Sequence, residues 1–459
     1  MSSAPLSGEP AGGNAADAPA GLPVDRPSAS TVRTLIALSL PAVVVGVVSA
    51  LVLYAVEQVV HLLEHAVWAS LPEAVGVDPS SPWWILAVLS MTGLAVGLVI
   101  QLVPGHGGQD SATVELVAPP LALSVVPSLL LVSVIGFAGG VSLGPEAPII
   151  AINTALLVVV VRRLWPAVST PLVVMVTAAG TIGALFGTPV AAALVFTGLA
   201  GASAAGEALW DRLFLPLLSA AAGALTMSLL ASPSFALELP AYDSAYDSVA
   251  PADLLGAAVV AVVAAGLGIG AAAVFPRVHA LFRLLGNPVL YVTLGGVLLG
   301  VLGAVGGEIT LFKGLAQMGR LVDERGSYGV AALVLVIVVK LLALVVSAAA
   351  GFRGGRIFPA VFTGVAVGVL AHTVVPALPL TVCVAAGVVG SVLAIAREGW
   401  IALFIAVAVT GSITVLPVLC VAILPAWLLV SRAPEMIVHL PAHSSAHPTG
   451  AHPNGARHD

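Results

Sequence analysis

Glu146 is the residue on which chemistry would turn. It lies in GVSLGPEAP (140–148), after the apolar run 121–138 and at the head of the uncharged stretch 147–161. An ionisable group set between two such runs is costly and marks a functional site by default. The glycines before it, and the proline just inside the renewed run, read as one helix stopping and another starting. A helix that starts there offers unpaired N–H groups and the positive end of its dipole, an arrangement that holds anions. A carboxylate at that point competes with an anion while charged and leaves when protonated, so Glu146 is a candidate gate. The plainer role, a helix cap, normally borders water, whereas this site lies between two apolar runs.

The same punctuation occurs twice. Gly140, Gly144 and Pro148 return 211 residues later as Gly351, Gly355 and Pro359 in GFRGGRIFP, again after an apolar run, 332–350. Anion-binding positions are therefore expected at Gly144, Pro145 and Ala147 in the first copy and at Gly355, Arg356 and Ile357 in the second. Arg356 either lends positive potential to an anion vestibule or snorkels to the interface. A weaker echo sets Gly183–Pro189 opposite Ala394–Trp400. A third glycine-rich loop, 104–110 (PGHGGQD), offers backbone donors at Gly105, Gly107 and Gly108 and an imidazole at His106. Such a loop is equally compatible with an ordinary interfacial turn. Lys340, midway along 332–350, must pair or line water if it is embedded in a membrane.

The elements that position these residues follow from composition. The chain has 459 residues, of which 59% are hydrophobic and 8% charged, where a soluble domain carries about 25% charge. A spanning helix needs roughly 20 apolar residues, and the apolar runs fit on the order of ten of them. Their length favours helices over the alternating strands of a barrel. The expected fold class is all-α, a polytopic membrane protein. Apolar segments include 35–62, 83–103, 171–200 and 400–430, and the longest polar link, 232–253, divides the chain into comparable halves. Repeats are expected near 83–231 and 288–437, with a transmembrane domain over 32–437. Trp83 and Trp84 stand where an interfacial aromatic anchor belongs.

Other readings are weaker. The sequence holds no HExxH, G-x-S-x-G, P-loop or CxxC pattern, and His106, Asp110 and Glu115 are the only start of a catalytic cluster. No cofactor, metal site or nucleic-acid partner is implied. Cys383 and Cys420, inside apolar runs, read as buried inert thiols. The remaining acids, among them Asp110, Glu207 and Glu398, lie near segment ends, the usual place for solvated charges. Residues 1–31 and the tail 438–459, with His439, His443, His447, His452 and His458, read as disordered.

Together the three loops resemble the chloride channel (CLC) family of anion channels and proton-coupled antiporters. Its pattern is a GSGIP-type loop, then G-(K/R)-E-G-P, then G-x-F-x-P; the counterparts here are GHGGQ (105–109), GPEAP (144–148) and GRIFP (355–359). The resemblance implies two inverted repeats with discontinuous helices, a multi-pass protein of the cell membrane, and a homodimer with one path per subunit for chloride or a similar small inorganic anion. Glu146 matches the family's gating glutamate. His106 falls where that family has a central serine, and Ile357 where the third motif has phenylalanine. The internal proton-handling acid would fall at Thr197-Gly198-Leu199, where none stands, and the anion-coordinating tyrosine near Met436. The nucleotide-binding domains of many eukaryotic members have no counterpart after the last span. The missing acid favours gated conduction, with proton-coupled antiport of chloride, fluoride or nitrate as the alternative.

Overall fold

The computed structural model describes residues 29–200, 209–231, 237, 246 and 249–438. Most of the expected tails, Glu207 and most of the 232–253 link lie outside these residues. Among these residues eight α-helices form in the first half: α1 (Ala29–His65), α2 (Leu71–Val75), α3 (Pro82–Leu102), α4 (Val126–Ala138), α5 (Glu146–Leu164), α6 (Thr170–Phe186), α7 (Pro189–Ala200) and α8 (Leu209–Leu230). Eight form in the second: α9 (Pro251–Arg283), α10 (Pro288–Gly306), α11 (Leu315–Asp323), α12 (Val330–Ala349), α13 (Ile357–Val374), α14 (Leu380–Ala396), α15 (Gly399–Thr410) and α16 (Leu416–Val430).

Apart from the short α2 and α11, the halves match helix for helix. The repeats begin earlier than 83 and 288, at α1 and α9. Each of these long helices holds an internal proline, Pro41 or Pro276. The reason for the earlier start is packing: α1 lies on α6 and α8, and α9 lies on their counterparts α14 and α16. Matching helices also start alike. Ser81 accepts from Trp84 N ahead of α3, Asn287 accepts from Val289 N ahead of α10, and each cap is followed by proline. These caps satisfy helix-start donors, and the proline replaces an N–H that has no partner anyway. Helices α3 and α10 then join the halves. A Cβ on Gly93 would lie 2.7 Å from Val292 O, and one on Gly296 would lie 2.4 Å from Leu89 O. Only small residues allow backbones so close, the usual means of holding helices together in lipid.

Among the described residues, eight helices are long and apolar enough to cross a membrane by length and composition, and five of the other apolar helices are shorter, at 10–17 residues. Two expected single segments are split. The run 171–200 breaks into α6 and α7 at Gly187, left-handed at φ 68°, just before Pro189. The run 400–430 breaks at Gly411, φ 62°. Cys383 is buried as expected, but Cys420 is exposed, because it lies on the outer face of α16.

Lys340 is fully buried in α12 and pairs with no carboxylate among the described residues. Its Nζ donates to the carbonyls of Thr310, Leu311 and Phe312 at 3.0, 3.1 and 2.8 Å. It sits 4.9 Å from the Phe362 ring centroid. The turn it holds carries Phe312, whose N–H donates to Gly140 O at 3.0 Å. One cation thus braces the connection behind the first glycine motif. Lys340→Met strands three buried carbonyls and is expected to cost on the order of 3 kcal/mol or more. Thermal unfolding in detergent should show the loss, and an unchanged Tm would contradict this role.

Candidate functional site

Each glycine motif has a division of labour. Gly140 and Gly351 both take left-handed backbone, φ 91° and 88°, ending α4 and α12 with a turn that L side chains resist. Gly144 and Gly355 then pair with each other as an isolated antiparallel bridge. Gly144 N donates to Gly355 O at 2.8 Å, and Gly355 N donates to Gly144 O at 2.6 Å. Equivalent residues running antiparallel are what a two-fold axis through the bridge produces. Helices α5 and α13 start from the two sides of this bridge, at Glu146 and Ile357, with Pro148 and Pro359 in their first turns.

The carboxylate of Glu146 crosses that axis. Its Oε1 accepts from Ile357 N at 2.9 Å and from Phe358 N at 3.2 Å, the first free N–H groups of α13. Glu146 is 1% exposed, and its Oε2 has no hydrogen-bond partner among the described residues. The space it fills exists because two side chains are missing. A Cβ on Gly144 would lie 2.0 Å from Oε2, and one on Gly355 would lie 2.3 Å from Glu146 Cδ. The α13 N-terminus is therefore already occupied, and by the protein's own carboxyl group.

Glu146 closes the deep end of a cavity of about 340 Å³ that opens past the exposed Glu115 and Glu435. Ala147, Gly355, Arg356 and Ile357 line it. Arg356 donates through Nη2 to Val114 O at 3.1 Å, while its Nη1 is buried with no acceptor among the described residues. On the other side of Glu146, Lys313 pairs with Glu57 at 3.4 Å and lies 5.9 Å from the Phe358 ring centroid.

The family model for voltage gated chloride channels matches residues 92–431. The chain belongs to the chloride channel (CLC) family. It is 46% identical over 415 residues to YfeO of Escherichia coli (strain K12 / DH10B), whose name marks it as an ion-transport candidate; the match covers 90% of this chain and 98% of that protein. YfeO of Shigella boydii serotype 4 (strain Sb227) matches at the same identity and coverage. Among solved structures, a slow cyanobacterial Cl⁻/H⁺ antiporter superposes with a TM-score of 0.69 at 17% identity, over 87% of this chain and 94% of that one. A CLC-type fluoride/proton antiporter superposes with a TM-score of 0.63 at 18% identity, over 90% of this chain and 98% of that one.

Within this CLC fold the first loop departs from expectation. Gly105, His106, Gly107 and Gly108 do not line the cavity. Their carbonyls bind a buried arginine instead: Arg353 donates to Gly107 O at 2.8 Å, Gly108 O at 3.2 Å and His106 O at 3.4 Å. The N–H groups of His106, Gly107 and Gly108 are taken by Val103 O, Ser128 Oγ and Gly105 O. The His106 ring turns back to Ile100 O at 2.8 Å and caps the end of α3. Gln109 and Ser111 reach the cavity in their place. Ser111 Oγ accepts from Gly354 N at 2.9 Å and has no acceptor for its own proton among the described residues.

Two further expectations are corrected. Pro145 is the N-cap of α5, has no N–H and does not line the cavity. Asp110 is not a solvated charge: it pairs with Arg283, His279 (3.2 Å) and Arg353 (3.6 Å), anchoring the loop to α9. His106, Asp110 and Glu115 thus face three different environments and form no catalytic cluster. Met436, in the place expected for tyrosine, is buried in the cavity wall and brings no hydroxyl. The segment carrying it is tied down by Val438 N donating to Ala112 O at 2.7 Å.

Proposed function

We propose that this CLC protein moves chloride or a similar small inorganic anion through the cavity, with Glu146 as a protonatable gate. The observation that carries the reading is the pair of hydrogen bonds from Ile357 N and Phe358 N to Glu146 Oε1. While charged, the carboxylate holds the helix N-terminus that an anion would use. Once protonated it loses the charge that favours this seat, and an anion arriving past Arg356 can replace it. Ser111 supplies a hydroxyl donor, and Arg356 supplies positive charge through an Nη1 that has no hydrogen-bond acceptor among the described residues. A second reading, proton-coupled exchange, draws support from the two solved structures of similar fold, both of antiporters.

Chloride efflux from proteoliposomes tests the reading. Flux above that of protein-free vesicles is expected. Ser111→Ala removes a hydrogen bond to a charged ligand, a loss of about 1.5–3 kcal/mol, or roughly ten- to hundred-fold in anion affinity. Wild-type vesicles no leakier than empty ones to any halide or nitrate would overturn the proposal.

A further inference from the structure

Ser111 reaches the cavity from a segment that has no helix of its own. Between the end of α3 and the short turn at Leu123–Val125 the chain forms no helical element. The hydroxyl therefore has no helix dipole behind it, and its place is set from the other repeat. Three successive residues of GFRGGR, leaving out only Gly355, grip the stretch 106–114. Arg353 takes the carbonyls of His106, Gly107 and Gly108. Gly354 N donates to Ser111 Oγ at 2.9 Å, and Arg356 donates to Val114 O at 3.1 Å.

Arg353 is the centre of this grip. It is 7% exposed, and its donors are committed on every side. Nε donates to Gly107 O, Nη1 to Gly351 O at 2.8 Å, and Nη2 to Gly108 O and His106 O. A buried guanidinium also needs a counter-charge, which Asp110 supplies through Oδ1 at 3.6 Å. The same oxygen accepts from Ala112 N at 3.2 Å, while Oδ2 is held by Arg283 and His279 of α9. Ala112 O in turn accepts from Val438 N. Both chain neighbours of Ser111 are thus pinned, and its own proton is the one left for a ligand.

We propose that Arg353 and Asp110 are positioning residues, a clasp that aims the Ser111 hydroxyl and so sets how tightly the cavity binds its anion. The inference rests on the transport reading above and adds the residues that tune it. Asp110 does not line the cavity, and the N–H groups of Arg353 are spent on the protein, so the pair acts through Ser111. Hydrogen bonds weaken steeply as they lengthen and bend. A loosened clasp therefore costs anion affinity before it costs the path itself. Only a planar fork reaches carbonyls on several sides at once. A lysine at 353 would keep the charge but present it from a single point.

Chloride efflux from proteoliposomes, recorded over a range of chloride concentrations, tests the clasp. Arg353→Lys is expected to raise the half-saturating concentration about tenfold, the low end for a hydrogen bond to a charged ligand, with maximal flux retained. The same change made on top of Ser111→Ala should shift it no further, since residues acting through one contact are non-additive. A merely structural role would add its loss in both backgrounds. Arg283→Gln loosens the clasp from a side chain that is 34% exposed and leaves Arg353 paired. It should shift half-saturation in the same direction, which keeps the test open if Arg353→Lys does not fold. An unchanged half-saturating concentration in whichever variant reconstitutes, or equal shifts with and without Ser111, would overturn the proposal and leave the transport reading standing. Absence of any anion flux in wild type would overturn both.

Discussion

Replacing Glu146 by alanine is expected to free anion flux from pH control. In the wild type the carboxylate occupies the N–H groups of Ile357 and Phe358, so flux should rise as pH falls and more of the gate is protonated. The direction follows from the charge: the ionised form holds the seat, and the neutral form releases it. Alanine leaves the two donors empty at every pH. The variant should therefore conduct at neutral pH as it does in acid, giving a flat profile where the wild type slopes. The change in chloride efflux at neutral pH should approach the full acid-to-neutral ratio of the wild type. A sloping profile in Glu146→Ala would assign the pH control to another group.

The second large effect is expected at Gly355. A Cβ there falls 2.3 Å from Glu146 Cδ and 2.5 Å from its Oε2, where neither a carboxylate nor an anion fits. Gly355→Ala should abolish chloride flux and, because the Glu146 side chain is overpacked, lower stability by about 1–3 kcal/mol. Adding the change to Glu146→Ala separates the two consequences. The double variant should recover the stability, since the clashing carboxylate is gone, but not the flux, since the methyl still fills the seat. This non-additivity is what residues in direct contact show. Wild-type flux in Gly355→Ala, or equal destabilisation in both backgrounds, would separate the carboxylate seat from the anion seat.

The repeat of Gly-x3-Gly-x3-Pro was legible in the sequence because each letter answers a local backbone demand: a left-handed turn at Gly140 and Gly351, a close approach at Gly144 and Gly355, a helix start before Pro148 and Pro359. Glu146 was legible because an acid between apolar runs has few other uses. Its partner was half legible. The motif offset pairs Glu146 with Ile357, but only folding shows that the acid of one repeat caps the helix of the other. The first loop was misjudged for a physical reason. Glycines suggested free N–H groups, whereas His106, Gly107 and Gly108 use theirs locally and aim their carbonyls at Arg353. The arginine in GFRGG was the available signal, since a cation there needs several acceptors. Glu398 looked like a solvated acid at a segment end, and its place in the cavity depends on the α14–α15 break at Arg397, a non-glycine residue at φ 61°.

The central claim is that the Glu146 carboxylate occupies an anion's seat. Anomalous scattering from bromide-soaked crystals tests it most directly, comparing wild type with Glu146→Ala. The account predicts a bromide within hydrogen-bond reach of Ile357 N and Phe358 N in the alanine variant, and none there in wild type while Glu146 holds those donors. A variant with no bromide at these two N–H groups, or a wild type with bromide beside an unmoved Glu146, would contradict it.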